Sequence, residues 1–172
     1  MSKFKPEYYR PRAVEHVARL LEEGFDRDAL FVTLGYLPGR QPKSRETALY
    51  CFKVDFIQRM QQERKSHGIP CSYLYCLRWE LDGMPPEFCL VLSRGPESVE
   101  KLENLWPYGP VICRPLRDMG PLPQLASRLY LDALSGPEPE RFPIRHSTHL
   151  GQNCLRRRYQ TAPELRKRLG LE

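Results

Sequence analysis

Residues 72–93, SYLYCLRWELDGMPPEFCLVLS, decide the fold. Ser72–Glu80 alternates as a strand does. Tyr73, Tyr75, Leu77 and Trp79 fall on one face, and Leu74, Cys76 and Arg78 on the other. Glu80-Leu81-Asp82-Gly83 is a charged turn, and Pro85-Pro86 follows it. Glu87–Ser93 then returns as the partner strand, rich in Phe, Leu and Val. Pro86 weakens the first ladder bond, which a strand start tolerates. The aromatic face has two readings. It is a platform on which bases stack, or it is the core face beneath helices.

Working outward, residues 44–65 read as one long helix. Ser44 caps it, and Leu49, Phe52, Phe56, Ile57 and Met60 recur at helical spacing. Before it, Ala29–Tyr36 is a short buried strand. Residues 11–24 form a helix with Pro11 in its first turn, Val14, Val17, Leu20 and Leu21 on one face, and Gly24 at its end. After the hairpin come a short helix, Pro96–Trp106, with Val99, Leu102 and Leu105 inward, and a strand, Pro110–Arg114. A helix from Pro121 to Leu134 follows. The order β-α-β-β-α-β predicts an α+β domain over residues 1–136. Its expected form is a ferredoxin-like antiparallel sheet with helices on one face, preceded by an N-terminal helix. The open face of such a sheet is a common surface for single-stranded nucleic acid. Residues 137–172 form a proline-containing basic extension with a last helix from Thr161 to Leu169.

Charge separates the two parts. Lys and Arg balance Asp and Glu over residues 1–140. Residues 141–172 hold eight basic side chains (Arg141, Arg145, Arg156, Arg157, Arg158, Arg166, Lys167 and Arg168) against Glu164 and Glu172. That density suits phosphate contacts, and it also suits a solvated end. No apolar run reaches the roughly 18 residues of a membrane span. The opening MSKFKPEYYR lacks the apolar core of a secretory signal, so a cytoplasmic protein without a membrane partner is expected. The six cysteines are scattered, and Cys51, Cys76, Cys89 and Cys113 fall in apolar segments, as reduced core thiols do. Cys71 and Cys76 form a C-x4-C with no second pair, a spacing unlike that of zinc sites.

On this order of elements, several segments resemble the rolling-circle replication initiators, the HUH endonucleases of small plasmids and phages. Phe31–Tyr36, FVTLGY, is similar to the family's first strand motif. Tyr75–Glu80 is similar to the strand that ends in a glutamate ahead of the signature, Gly83 matches the hairpin glycine, and Leu102–Gly109, LENLWPYG, resembles the stretch after it. Leu125–Leu134 falls where the family carries its tyrosine helix, and Arg145–Leu150 resembles a downstream segment. The resemblance covers roughly residues 28–152. It implies two strand histidines that hold a divalent metal on the scissile phosphate. It also implies a tyrosine that attacks to leave a 5′-phosphotyrosine.

Aligned on Gly83, the histidine positions fall on Pro86 and Phe88, neither of which binds metal. Glu80 is a vestigial third ligand, and Glu87 points the other way. Tyr130 falls at the place of the family's nucleophile, but Ala133 and Leu134 stand where lysine is expected and Asp132 is a poor neighbour, so its other reading is an amphipathic core tyrosine. His146 and His149, an H-x-x-H in a loop, suit phosphate better than zinc. Arg40 and Lys43, in the loop after the first strand, either hold DNA backbone or belong to a solvated turn.

The resulting expectation is a degenerate initiator-like protein of a phage, plasmid or integrated mobile element. It binds single-stranded or hairpin DNA without nicking it, through Arg40, Lys43, Arg145, His146, His149, Arg156, Arg157 and Arg158, and needs no cofactor. One alternative is an active endonuclease that uses Tyr130 with Mg²⁺ or Mn²⁺. Another is a protein-binding inhibitor or regulator built on the same frame, such as a phage-encoded anti-defence protein.

Overall fold

The structure, a computed structural model, is described over residues 6–79, 83–135 and 144–147. Helix α1 (Pro6–Gly24) leads to strand β1 (Leu30–Leu34). A continuous helical stretch follows: α2 (Arg45–Cys51), a wider π-helical turn (Phe52–Ile57), and α3 (Gln58–Ser66). Strands β2 (Tyr73–Arg78) and β3 (Glu87–Leu92) form the hairpin. Then come α4 (Val99–Leu105), β4 (Val111–Pro115), a 3₁₀ turn (Leu116–Met119), α5 (Leu122–Ala133) and β5 (Arg145–His146). The protein is α+β. Its five strands lie in the order β4-β1-β3-β2-β5, and every neighbouring pair is antiparallel.

Both faces of the sheet are covered, where helices on only one face were expected. Strand alternation sends Leu30, Val32, Leu34, Tyr75, Leu77, Phe88, Leu90 and Leu92 to one side. There they meet Ala48, Phe52, Phe56 and Met60 of the long helix, Leu102 of α4, and Trp106. The other side sends out Phe31, Leu74, Cys76, Cys89 and Val91. These meet Val17, Leu20 and Leu21 of α1 and Leu125, Ala126 and Leu129 of α5. Helices α1 and α5 lie against each other and fill the side that a nucleic-acid platform would leave open. The reason is the amphipathic stripe on each. Each helix has an apolar face that must be buried, and the sheet together with the neighbouring helix offers a matching surface.

The aromatic face of β2 is core. Tyr75 and Leu77 are buried beneath the long helix, and Tyr73 and Trp79 pack at its margin. Ser44 caps α2 as expected, its hydroxyl accepting from Thr47 N at 3.1 Å. Two local expectations are corrected. Helix α1 begins at Pro6, so Pro11 lies inside it, where its missing N–H removes one ladder bond. Val99 is exposed rather than inward: it is the first residue of a helix of barely two turns, which buries only Leu102 fully.

Tight joints hold the layers. The Arg64 and Glu97 side chains, each 1% exposed, form an ion pair at 2.8 Å, and Arg64 Nη1 also donates to Ser93 Oγ at 2.9 Å. Gly95 sits against this pair, and a Cβ there would come within 2.6 Å of Arg64 Nε. At the other end of the sheet Gly109 lies against the chain just after β1, where a Cβ would meet Gly35 O at 2.5 Å. Lys101 and Glu63 form a further ion pair.

Candidate functional site

The antiparallel register gathers the chemistry at one end of the sheet. The last residues of β1 and β2 and the first of β3 and β4 meet there, since Leu34 pairs with both Phe88 and Val111. The loop after β1 is fastened to the segment before β4. Gly35 N donates to Pro110 O, Leu37 N to Tyr108 O, and Arg40 Nη1 to Pro107 O, each at 2.9 Å. Arg40 and Lys43 are exposed on this loop, so two of the proposed phosphate contacts share one rim.

Beneath the rim lies a tyrosine cluster. Tyr108 Oη donates to Asp55 Oδ2 at 2.5 Å, and Asp55 sits in the π-helical turn. That bond, with burial second, pushes the Tyr108 hydroxyl up to about 12. Tyr36 packs on Trp106 and Tyr108, with ring centroids 5.4 and 6.0 Å away. The Tyr36 hydroxyl is buried without a hydrogen-bond partner among the described residues. Burial raises its pKa, so it stays a neutral donor. An isolated π turn inside a helix often marks a functional position. Tyr108 lies in the segment LENLWPYG, but nothing in the sequence singled out that tyrosine or linked it to Asp55, 53 residues earlier.

The hairpin mouth holds the second cluster. Arg78 and Glu87 are register partners, 3.5 Å apart at the nearest atoms, and Arg78 Nη2 donates to Pro85 O at 3.2 Å. Arg78 Nε is buried without a partner among the described residues. Glu87 and Asp132 of α5 both have raised pKa values. Burial is the main cause in each, partly opposed by Arg78 and Arg128. Ser135 ties the corner: its Oγ accepts from Trp79 N, and its carbonyl accepts from Arg45 Nη2.

The other sequence candidates fall as follows. Phe88 is fully buried and stacks on Phe52 with centroids 4.4 Å apart. It faces the long helix, whereas α5, which carries Tyr130, covers the opposite side of the sheet. A metal ligand at position 88 would point away from that tyrosine. The residues at 86 and 88 therefore do not fit the family's metal. Tyr130 is itself 3% exposed. Arg145 is exposed on β5, three strand spacings or about 14 Å from β1. The H-x-x-H segment is not all loop: His146 belongs to β5, with its Nδ1 2.9 Å from Ser147 O. Cys71 and Cys76 serve opposite faces of the sheet and cannot chelate one ion. Among the described residues no three His, Cys, Asp or Glu side chains are grouped to hold a metal, and no helix is long and apolar enough to cross a membrane. Glu80, His149, Arg156, Arg157 and Arg158 lie outside the described residues, as does the helix expected at 161–169. Comparison with protein-family models, curated proteins and solved structures gave no match.

Proposed function

We propose that the chain is a binding protein on a ferredoxin-like frame, a degenerate relative of the rolling-circle initiators, that holds single-stranded or hairpin DNA by its phosphates. The strand order β4-β1-β3-β2 supports the frame, as does the placement of both crossover helices, α2–α3 and α4, on one face. The observation that favours binding over nicking is the burial of Phe88 against Phe52, on the side of the sheet away from Tyr130. With α1 and α5 filling the second face, stacking on the sheet is not available. The contacts then come from exposed Arg40, Lys43 and Arg145 together with the basic residues 156–158.

The test is a binding titration of the full chain on single-stranded, hairpin and duplex DNA across salt concentrations. Each phosphate contact on a single strand contributes about 0.7 to the log–log salt slope. Replacing Arg156, Arg157 and Arg158 by alanine should make the slope shallower by about 2. Absence of binding at low salt would overturn the reading and leave the protein-binding regulator in its place. Leu37, apolar and 46% exposed on the Arg40 loop, favours that second reading. The nicking alternative requires the Tyr130 hydroxyl to reach a phosphate. A covalent DNA adduct in the presence of Mn²⁺, lost in Tyr130→Phe, would favour it.

A further inference from the structure

The hairpin carries two thiols in register. Cys76 on β2 and Cys89 on β3 stand directly opposite one another. Ser93 N donates to Ser72 O, which makes 72/93 a hydrogen-bonded pair, and alternation makes 76/89 another. Such pairs hold their Cα atoms about 5.5 Å apart, inside the roughly 4.4–6.8 Å window of a disulfide. Both side chains project into the layer beneath α1 and α5, and one thiol hydrogen-bonds the other. Cys71 and Cys113 pack in the opposite layer and cannot compete for either. Arg78 and Glu87 are the next pair along the same face toward the mouth, and Glu87 is partly exposed. The thiols therefore lie one step below solvent.

We propose that Cys76 and Cys89 form a reversible disulfide that staples β2 to β3 beneath the hairpin mouth, with a hydroperoxide as oxidant. One thiolate attacks a peroxide oxygen, the O–O bond breaks, and hydroxide leaves. The sulfenic acid so formed is attacked by the second sulfur, which expels the hydroxyl as water and closes the S–S bond. Two thiols and one hydrogen peroxide become one disulfide and two waters. The staple is reversible because the site is strained. Cβ atoms in a hydrogen-bonded pair lie toward the far end of about 4.5–5.5 Å, whereas a disulfide draws them to roughly 3.5–4.5 Å. Strained bonds are the readily reduced ones. The hydrogen bond to Cys89 and burial both keep the Cys76 thiol protonated, so oxidation is slow and follows brief openings of the mouth.

The experiment treats the full chain with hydrogen peroxide, alkylates it during unfolding, and digests it without reductant. The expected product is the Cys76–Cys89 linked peptide in at least about tenfold excess over any other linkage, as register pairing requires. Reduced glutathione, added to the folded oxidised protein, should return both thiols. The linked peptide should vanish in Cys89→Ala, with no new partner for Cys76. Recovery of both thiols alkylated, their separate oxidation to sulfinic acids, or a linkage that resists glutathione overturns the proposal.

Discussion

Phe88 shows how one side chain changes the meaning of a motif. Its position, two residues after Pro86, invites comparison with a histidine pair, yet its ring is stacked in the core on Phe52. Installing the pair should therefore not create a metal site. The double variant Pro86→His, Phe88→His is expected to lose about 3–5 kcal/mol, as for a truncated core aromatic that also buries a polar group. It should show no Mn²⁺ binding by calorimetry, and stoichiometric binding would mean that position 88 reaches solvent. Gly95 is a second position where one carbon matters. Its Cβ would collide with the Arg64–Glu97 pair, in which neither partner can move into water. Gly95→Ala is expected to destabilise the fold by about 3 kcal/mol or more, near the cost of breaking a buried ion pair. Chemical denaturation measures it, and a change under about 0.5 kcal/mol, the range of neutral surface substitutions, would contradict the geometry.

At the scale of elements, periodicity carried most of the information. The hairpin, the β1 and β4 strands, the long helix from its Ser44 cap, and α5 were all legible, because each has an apolar face with the period of its structure. Three things were not. Strand β5 is two residues long among the described residues, opposite Leu74 and Tyr75, too short for any pattern. The second covered face was hidden because α1 reads as an appended helix until its stripe is seen to meet that of α5. The clusters around Tyr108 and Arg78 join residues distant in the chain, so local spacing announced neither; only the individual residue types were visible. The Asp132 carboxylate at the end of α5 gives an element-scale prediction. Burial raises its pKa in the folded state, with Arg78 and Arg128 opposing. A carboxyl with a raised folded pKa contributes its stability below the unfolded value of about 3.9 and loses it as pH rises through the folded value. Glu87 adds in the same direction. Asp132→Asn should thus flatten the fall in stability above pH 4, with a gain at neutral pH of under about 1 kcal/mol after solvent screening. Denaturation midpoints across that range check it; a steeper fall in the variant would reverse the sign.

For the whole molecule, the two edges of the sheet are finished differently. Strand β5 lies along β2, with Ser147 N donating to Tyr73 O at 2.9 Å and Tyr73 N to Ser147 Oγ at 3.2 Å. Strand β4 has no further strand beside it among the described residues. Gly35 N donates to Pro110 O, so alternation turns the backbone of Val111, Cys113 and Pro115 outward. Proline has no N–H, so this rim offers a visiting strand donors at Val111 and Cys113 alone. The consequence is colloidal. With those two donors the rim gives the β4 strands of separate copies little ladder to zip along, although Ile112 beside them is 49% exposed. Pro115→Val supplies a third donor and a β-former at the same place. Light scattering of that variant at high concentration should rise with time while the wild type stays flat, and equal traces would mean that Pro115 does nothing to block pairing along this rim.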